Sequence, residues 1–185
     1  HAVWNQKWRV HRRLRPEAFG GRIHVHKTMG AAYPIAPVAL DSAANSIFFA
    51  QHSSYLLPQV FPEGSPMHPS YGAGHATVAG ACVTILKAFF DCEWEIPNPL
   101  GPDATGANLV PVPYNLTVGG ELDKLTYNVA LGRNIAGVHW RTDGHESILM
   151  GEQVAIDFLR DYKKTYHERF VGWSFLDFEG RRVNL

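Results

Sequence analysis

The sequence has no excess charge of either sign and no long apolar run. Its 185 residues include 17 Lys and Arg against 17 Asp and Glu, so no overall basic field predicts nucleic-acid binding and no acidic excess predicts disorder. The most apolar stretch, near residues 76–90, is interrupted by Gly80 and Lys87 and falls short of the ~20 apolar residues that a membrane-spanning helix needs. We therefore expect neither a nucleic-acid partner nor a membrane partner.

Cysteine is scarce, and the first residue is not methionine. If Cys82 and Cys92 lie on one helix, they are about 15 Å apart, which is too far for a disulfide. Two cysteines do not decide the redox compartment. The chain begins at His1, within a stretch of helical character. This start favours a fragment or a processed chain whose upstream part is missing.

Helical periodicity and loop signals alternate along the chain. Basic and aromatic residues at 3–14 predict a helix that the Arg15-Pro16 step would end, because a residue before Pro disfavours the α region. Further helices are predicted from Asp41, at 74–90, at 119–136 and at 143–163. The segments 20–40, 56–74 and 91–120 are predicted loops, and the end of the chain around Glu179-Gly180 predicts a β-hairpin. The expected fold is mainly α, with long loops.

Three separated segments carry groups suited to binding an oxyanion. Lys7 and Arg15 are about 80° apart around a helix, close enough to reach one ligand. The small residues before His75 would let backbone N–H groups approach an anion where a helix begins. Arg133 and His139 form the third segment. Together the segments supply fixed positive charges, backbone donors and two histidines, which a tetrahedral or trigonal-bipyramidal oxyanion requires.

Each segment alone also has an ordinary structural interpretation. The basic run within residues 7–27 fits a solvated helix face. The glycines on either side of Ala73 fit a turn that His75 caps, and Gly137 fits the end of a helix with His139 after it. The order and spacing of all three segments together favour an oxyanion site.

The pattern of these residues resembles a known family. The pattern consists of Lys…Arg-Pro, then Pro-Ser followed by Gly-His, then Arg-x5-His-x3-Asp. It is similar to that of the vanadium-dependent haloperoxidases and of the acid phosphatases that share their fold. The stretches KWRVHRRLRPE, HPSYGAGHAT and GRNIAGVHWRTDG resemble algal and cyanobacterial vanadium bromoperoxidases, as do the Lys7 to Arg15 spacing and His68, seven residues before His75. The resemblance covers about Trp4 to Leu185.

The resemblance implies a fold and a domain organisation. The fold would be a helical bundle of the haloperoxidase and acid phosphatase type, with long loops and a C-terminal β-hairpin. Residues 1–185 would form a single vanadate-binding catalytic domain or the C-terminal, active-site-bearing part of a larger helical haloperoxidase chain.

The resemblance also implies roles for individual residues, with vanadate as the cofactor. Lys7, Arg15 and Arg133 would neutralise its equatorial oxygens, and His139 would be the metal ligand. The implied cofactor-binding set is Lys7, Arg15, Gly74, His75, Arg133 and His139, in which Gly74 donates its backbone N–H. The implied catalytic residues are His75, His68 and Lys7: His75 would take protons from hydrogen peroxide, and His68 would tune His75 or the halide site. Trp4 would line the halide side.

The implied activity is oxidation of bromide or iodide by hydrogen peroxide to a hypohalous-acid-type species that halogenates an organic acceptor. A neutral imidazole suits both histidine roles, because no other side chain has an unperturbed pKa so close to neutral. Two alternatives stay open. One is an acid phosphatase of the same fold, in which His139 attacks phosphorus and His75 protonates the leaving group. The other is a non-catalytic oxyanion-binding protein.

Ala73 departs from the family pattern, which has Ser at this position. The missing hydroxyl removes one donor, worth about 0.5 to 1.5 kcal/mol, and leaves open the preference between bromide and iodide. Asp143 is expected either to orient a neighbouring His or Arg of the site or to cap a helix.

Other residues and properties are expected to be unexceptional. Trp140 and Arg141 are expected to brace the turn at His139, and loops or the surface should hold His24, His26, His52, His145 and His167. Family members are often oligomers, so we expect a homo-oligomer, with a missing N-terminal portion of the same protein as a further partner. A secreted or extracytoplasmic location is expected.

Overall fold

The computed structural model describes residues 4–185, so the predicted start of the first helix at residue 3 lies outside the described residues. The α-helices are α1 (Pro16–Met29), α2 (Pro37–Leu40), α3 (Ala43–His52), α4 (Gly74–Phe89), α5 (Val118–Ile135) and α6 (Arg141–Lys163), preceded by a π-helical segment, Asn5–Val10. The strands are β1 (Leu100–Pro102), β2 (Leu109–Pro111), β3 (Ser174–Leu176) and β4 (Arg182–Asn184). The mainly helical prediction is confirmed. Within residues 4–185, no helix has both the length and the apolar character needed to cross a membrane.

The chain divides into two compact units. Unit 1 comprises the described residues up to Ala73 together with Leu131–Gly144, and unit 2 comprises Gly74–Ala130 and His145–Leu185. Helices α5 and α6 each contribute residues to both units. A single catalytic domain over residues 1–185 stays a prediction.

The start of unit 1 differs from the prediction. Arg15 is extended, with φ −70° and ψ 152°, and Pro16 is the first residue of α1. Pro is favoured at this position because a helix leaves its first N–H groups unpaired in any case. The Arg15-Pro16 step therefore begins a helix. The helix predicted over 3–14 is present only as the π-helical segment that ends at Val10, and the loop predicted over 20–40 is present only between α1 and α2.

The next part of unit 1 agrees more closely with the sequence. The helix predicted from Asp41 begins at Ala43, because the Ser42 side chain caps it by accepting the Asn45 N–H at 3.3 Å. The segment from residue 54 to residue 73 contains no helix and no strand, as predicted. It supplies the turn that carries His68.

Unit 2 is built on the close approach of α4 and α6. A Cβ added at Gly80 would collide with the backbone of Ile148, and one added at Gly151 would collide with the backbone of Thr77. Glycine is needed where backbones approach this closely. A buried cluster of Cys92, Ile156, Leu159 and Phe175 lies in the same unit.

Two antiparallel hairpins complete unit 2. The β1–β2 pair, in which Gly101 faces Val110, interrupts the predicted loop 91–120. Three-residue strands that contain Pro give little strand signal, which explains the miss. The C-terminal hairpin is confirmed: Phe175 faces Val183, and Gly180 has a φ of 77°. Cys82 is an exposed free thiol on α4, and Cys92 is a buried free thiol beyond the end of that helix.

Candidate active site

Arg15 links two turns of unit 1 that are far apart in the sequence. Its side chain is buried, and its Nε donates to the His68 carbonyl at 3.0 Å. Its Nη1 donates to the Val138 carbonyl at 3.0 Å and lies 3.0 Å from His139 Nε2. Arg15 precedes Pro16, and its backbone is extended at the start of α1. The predicted proximity of Arg15 and His139 is therefore present in the structure.

The hydrogen-bond partners of His139 assign its tautomer. The guanidinium of Arg15 can only donate, so Nε2 of His139 carries the lone pair. Nδ1 lies 3.3 Å from Asp143 Oδ2 and carries the proton. Burial lowers the pKa of His139 below 6.5, and the charges of Arg15 and Arg133 lower it further, although Asp143 opposes them. The imidazole is thus neutral near pH 7, with Nε2 available as a ligand atom.

Asp143 is the carboxylate that holds this arrangement. It is fully buried, and its Oδ2 accepts from the Ser70 hydroxyl and, at 3.1 Å, from the Trp140 N–H. Burial opposes ionisation, but the hydrogen bonds from His139, Ser70 and Trp140 outweigh it and lower the pKa of Asp143. The predicted contact with His139 is present. Asp143 is the third residue of α6 rather than its N-cap, and its carboxylate accepts the N–H of Trp140, the residue before the helix.

Lys7 lies on the π-helical segment and reaches the turn before α4. Its Nζ donates to the Gly72 carbonyl at 3.0 Å. Burial lowers the pKa of Lys7, and the nearby charge of Arg15 lowers it further. Lys7 and Arg15 converge as predicted, but from a π-helical turn and an extended residue rather than from one α-helix.

The turn between Arg133 and His139 depends on Gly137. Helix α5 ends at Ile135, and Gly137 has a φ of 78°, which favours glycine. The Val138 N–H then bonds back to the Arg133 carbonyl at 3.1 Å. This left-handed C-terminal turn returns His139 toward Arg133 and explains the six-residue spacing.

Arg133 retains an unpaired donor. Its Nε is buried and has no hydrogen-bond partner, while its charge acts on both Arg15 and His139. An unpaired buried N–H is costly, so such a donor is expected to meet a ligand. The carboxylates that act on Arg15 are Asp143 and Glu17. The residues Lys7, Arg15, Arg133 and His139, which we call the cationic cluster, therefore combine an unpaired donor, three cations and an imidazole lone pair that faces Arg15.

His68 lies beside the cationic cluster. Its Nδ1 is 3.0 Å from Arg15 Nη2 and 3.1 Å from the Pro69 carbonyl, two contacts that require opposite roles of this nitrogen. Arg15 is an obligate donor, so we assign Nδ1 as the acceptor. Burial lowers the pKa of His68, as do the charges of Lys7 and Arg15. The imidazole is therefore neutral and able to accept protons.

Three further predicted residues are Ala73, which belongs to unit 1, and Gly74 and His75, which belong to unit 2. Ala73 is the last residue of this part of unit 1 and is buried. Gly74 and His75 open α4 in unit 2, where they are exposed and line a cavity of about 420 Å³ with Val78, Ala79, Cys82 and Val129. The predicted roles of Gly74 and His75 toward the cationic cluster stay predictions.

Two tryptophans of unit 1 were also singled out in the sequence. Trp4 is 65% exposed and stacks on Trp8 with ring centroids 5.6 Å apart. Trp140 donates from Nε1 to the Leu14 carbonyl at 2.7 Å and packs edge-on against Phe19, so it braces the His139 turn as predicted. Trp4 as part of the halide side stays a prediction.

Sequence reasoning gave no role to Ser70 and Arg13, which contact Oδ2 and Oδ1 of Asp143, respectively. Arg13 Nε lies 3.1 Å from Asp143 Oδ1, and its Nη2 donates to Thr142 Oγ1 at 2.7 Å. The available signal for Ser70 was its place after His68-Pro69, in the segment that carries the site histidines.

The placement of the remaining histidines is partly corrected. His52, His145 and His167 are exposed, as predicted. His24 and His26 instead lie half-buried on α1, where they accept the N–H groups of Tyr55 and Tyr33, each at 3.2 Å.

Known proteins share this sequence and this fold. The family model of the VCPO second helical-bundle domain matches residues 1–168. The chain belongs to this family. It is 45% identical to a vanadium-dependent bromoperoxidase of Corallina officinalis, over 100% of this chain and 34% of that protein. It is 37% identical to a vanadium-dependent bromoperoxidase of Ascophyllum nodosum, over 98% of this chain and 35% of that protein.

A solved structure agrees with the sequence comparisons. The homohexameric structure of the second vanadate-dependent bromoperoxidase of Ascophyllum nodosum superposes with a TM-score of 0.79 at 34% identity. The match covers 99% of this chain and 37% of that chain. The helical-bundle fold is therefore that of a vanadium bromoperoxidase. The chain spans about a third of the length of these relatives.

Proposed function

We propose that this chain is the vanadate-binding, catalytic part of a vanadium-dependent bromoperoxidase. Its reaction is the oxidation of bromide or iodide by hydrogen peroxide to a hypohalous-acid-type species that halogenates an organic acceptor. The observation that carries the proposal is the cationic cluster, in which His139 Nε2 holds a lone pair and Arg133 Nε is buried without a partner. The relatives named above, all bromoperoxidases, give further support.

The donor set fits vanadate. Lys7, Arg15 and Arg133 would neutralise the oxygens of a bound oxyanion, and Arg133 Nε would gain the partner that it lacks. His139 Nε2 would be the ligand atom, because Asp143 already engages Nδ1. When bound, vanadate supplies the electrophilic centre at which hydrogen peroxide is activated toward halide.

The protein residues supply charge and proton transfer around that centre. The guanidinium of Arg15 is held by four protein acceptors, so it is oriented before any ligand arrives. Such preorganised charge stabilises developing negative charge more effectively than mobile solvent does. His75 would accept a proton from hydrogen peroxide, and neutral His68 would assist beside Arg15.

The two alternatives are less well supported. A phosphatase would use the same cluster, since phosphate and vanadate carry similar oxygens, but the relatives named above are bromoperoxidases. A non-catalytic oxyanion-binding protein would not require the oriented imidazole that Asp143 and Arg15 maintain.

Bromination of a phenol-red-type dye tests the activity. With hydrogen peroxide and bromide, added vanadate should produce bromination, and omission of vanadate should abolish it. Hydrolysis of a phosphomonoester without any bromination would instead favour the phosphatase. Oxyanion binding without either reaction would favour the non-catalytic alternative.

The proposal extends to partners and location. The second vanadate-dependent bromoperoxidase of Ascophyllum nodosum is a homohexamer, which supports a homo-oligomer for this chain as well. Sedimentation analysis would show a mass several times 20.6 kDa if the chain assembles in this way. A secreted or extracytoplasmic location belongs to the same proposal, and fractionation of the source cells tests it.

A further inference from the structure

We propose that Ser70 is a positioning residue for His139 and acts through Asp143. Its hydroxyl would fix the carboxylate that keeps the proton of His139 on Nδ1, and so keep Nε2 unprotonated as a potential ligand atom. The value of this role to the enzyme rests on the proposed vanadate function. The hydrogen-bond chain from Ser70 to His139 can be tested without vanadate.

Ser70 is anchored at both its side chain and its backbone. The residue is fully buried, and its hydroxyl donates to Asp143 Oδ2. Its N–H donates to the Arg13 carbonyl at 2.9 Å. Because this backbone hydrogen bond and burial already fix the residue, the side chain loses little conformational entropy when its hydroxyl donates. Ser70 is therefore a fixed donor.

The Ser70 hydroxyl shares one carboxylate oxygen with His139. Asp143 Oδ2 accepts from Ser70, from the Trp140 N–H at 3.1 Å and from His139 Nδ1 at 3.3 Å. The His139 contact is the longest, so its geometry depends on how the other donors orient the carboxylate. Removal of the Ser70 hydroxyl would leave the Trp140 N–H as the fixed donor to this oxygen.

Arg13 provides the competing orientation of the carboxylate. Its Nε lies 3.1 Å from Asp143 Oδ1, yet that oxygen has no hydrogen bond. The Arg13 side chain is 45% exposed and can adjust. Without Ser70, we expect the carboxylate to turn toward Arg13 and to release His139 Nδ1.

Release of Nδ1 changes which nitrogen of His139 carries the proton. The present partners favour the Nδ1–H form, because Arg15 donates to Nε2 and Asp143 accepts from Nδ1. A freed imidazole would keep only the Arg15 contact, so its preference for the Nδ1–H form would weaken and the share of the Nε2–H form, whose ligand atom is blocked by a proton, would rise. Residues that orient a metal-ligating histidine typically change metal affinity about 10- to 100-fold when they are lost.

The test combines imidazole NMR with vanadate binding. The ¹⁵N signals of His139, identified by their loss in His139→Gln, are recorded at about pH 8 without vanadate, where the ring is neutral. Ser70→Ala should raise the share of the Nε2–H form and weaken vanadate binding in equilibrium dialysis about 10- to 100-fold. Ser70→Thr, which retains the hydroxyl, should restore both properties.

Thr84→Val is the matched control. Thr84 is also fully buried, and its hydroxyl donates to the Gly80 carbonyl at 2.8 Å within α4. The control should leave the tautomer and the vanadate affinity unchanged. If Ser70→Ala matches the parent in both readouts, the positioning role is wrong. If its tautomer shifts but the parent does not bind vanadate, Ser70 positions His139 and the proposed function is wrong.

Discussion

Two groups of buried charges in this chain are organised in opposite ways. The cationic cluster of unit 1 has three cations, with a buried donor of Arg133 left unpaired. In unit 2, Lys87 is fully buried, pairs with Asp123 at 2.8 Å and lies 4.4 Å from the centre of the Phe178 ring. Glu152 accepts the Phe178 N–H at 2.8 Å.

The difference separates a binding site from a structural network. In unit 2 the charges named above find their partners within the protein, so an added ion would gain little there. In unit 1 the cations outnumber the carboxylates that act on Arg15, Asp143 and Glu17, and Arg133 Nε has no acceptor, so a bound anion would supply both charge and an acceptor. Paired burial indicates a role in stability, and unpaired burial indicates a role in binding.

Loss of His75 should have the largest effect, a fall in turnover without a loss of vanadate binding. His75→Ala removes an acid–base group, so turnover should fall about 10²- to 10⁴-fold. Vanadate should still bind, because the cationic cluster of unit 1 is intact. Steady-state rates at saturating peroxide, together with equilibrium dialysis, measure the two effects. A near-parental rate would remove His75 from the mechanism.

Loss of Lys87 should lower the stability of the fold and leave vanadate binding unchanged. Lys87→Met leaves Asp123 without its partner and should lower the free energy of unfolding by about 3 kcal/mol, as measured in urea. Vanadate affinity of the folded protein should stay the same. The control is Lys124→Met, which breaks the exposed pair with Glu121 and should cost less than about 1 kcal/mol. A loss of vanadate affinity in the Lys87 variant would contradict the assignment of a structural role.

Restoring the family's serine hydroxyl at position 73 should increase the affinity for vanadate. Ala73→Ser adds one donor and should tighten vanadate binding by up to about tenfold, which equals about 1.4 kcal/mol. The ratio of bromide to iodide rates should change with it. An unchanged affinity and an unchanged rate ratio would mean that position 73 does not face the anion.

The smallest expected effect is a pH dependence in unit 2. Burial raises the pKa of Glu152 above 4.5, and Asp177 raises it further, although Phe178 N–H opposes them. A raised carboxyl pKa stabilises the fold at low pH, and this contribution is lost as pH rises through the folded pKa. Glu152→Gln should therefore gain stability relative to the parent as pH increases. Parallel stability curves for the two proteins would contradict this sign.

The sequence predicted the cationic cluster better than the local structure around it. Lys7, Arg15 and His139 were recognised by their spacing, and the structure brings them together. The interpretation of Arg15-Pro16 as a helix end was wrong because Pro both disfavours helix before it and begins helices well. Local sequence does not decide between these effects, whereas the contacts of Arg15 with two distant turns do.

Contacts made through distant residues were the hardest to predict. Ser70 and Asp143 are far apart in the sequence, and neither residue type alone predicts a buried hydrogen bond. The β1–β2 hairpin was missed because its strands are three residues long. In contrast, α4 and α6 were predicted well, since long amphipathic segments carry a strong periodic signal.

Equilibrium dialysis with vanadate tests the central claim, that the cationic cluster is an oxyanion site completed by His139. The account predicts about one vanadate per parent chain, displaced by phosphate, and loss of the bound vanadate in His139→Ala while the fold persists. Circular dichroism of the variant confirms the fold. A parent that holds no vanadate, or a His139→Ala variant that holds it as tightly as the parent, would contradict the claim.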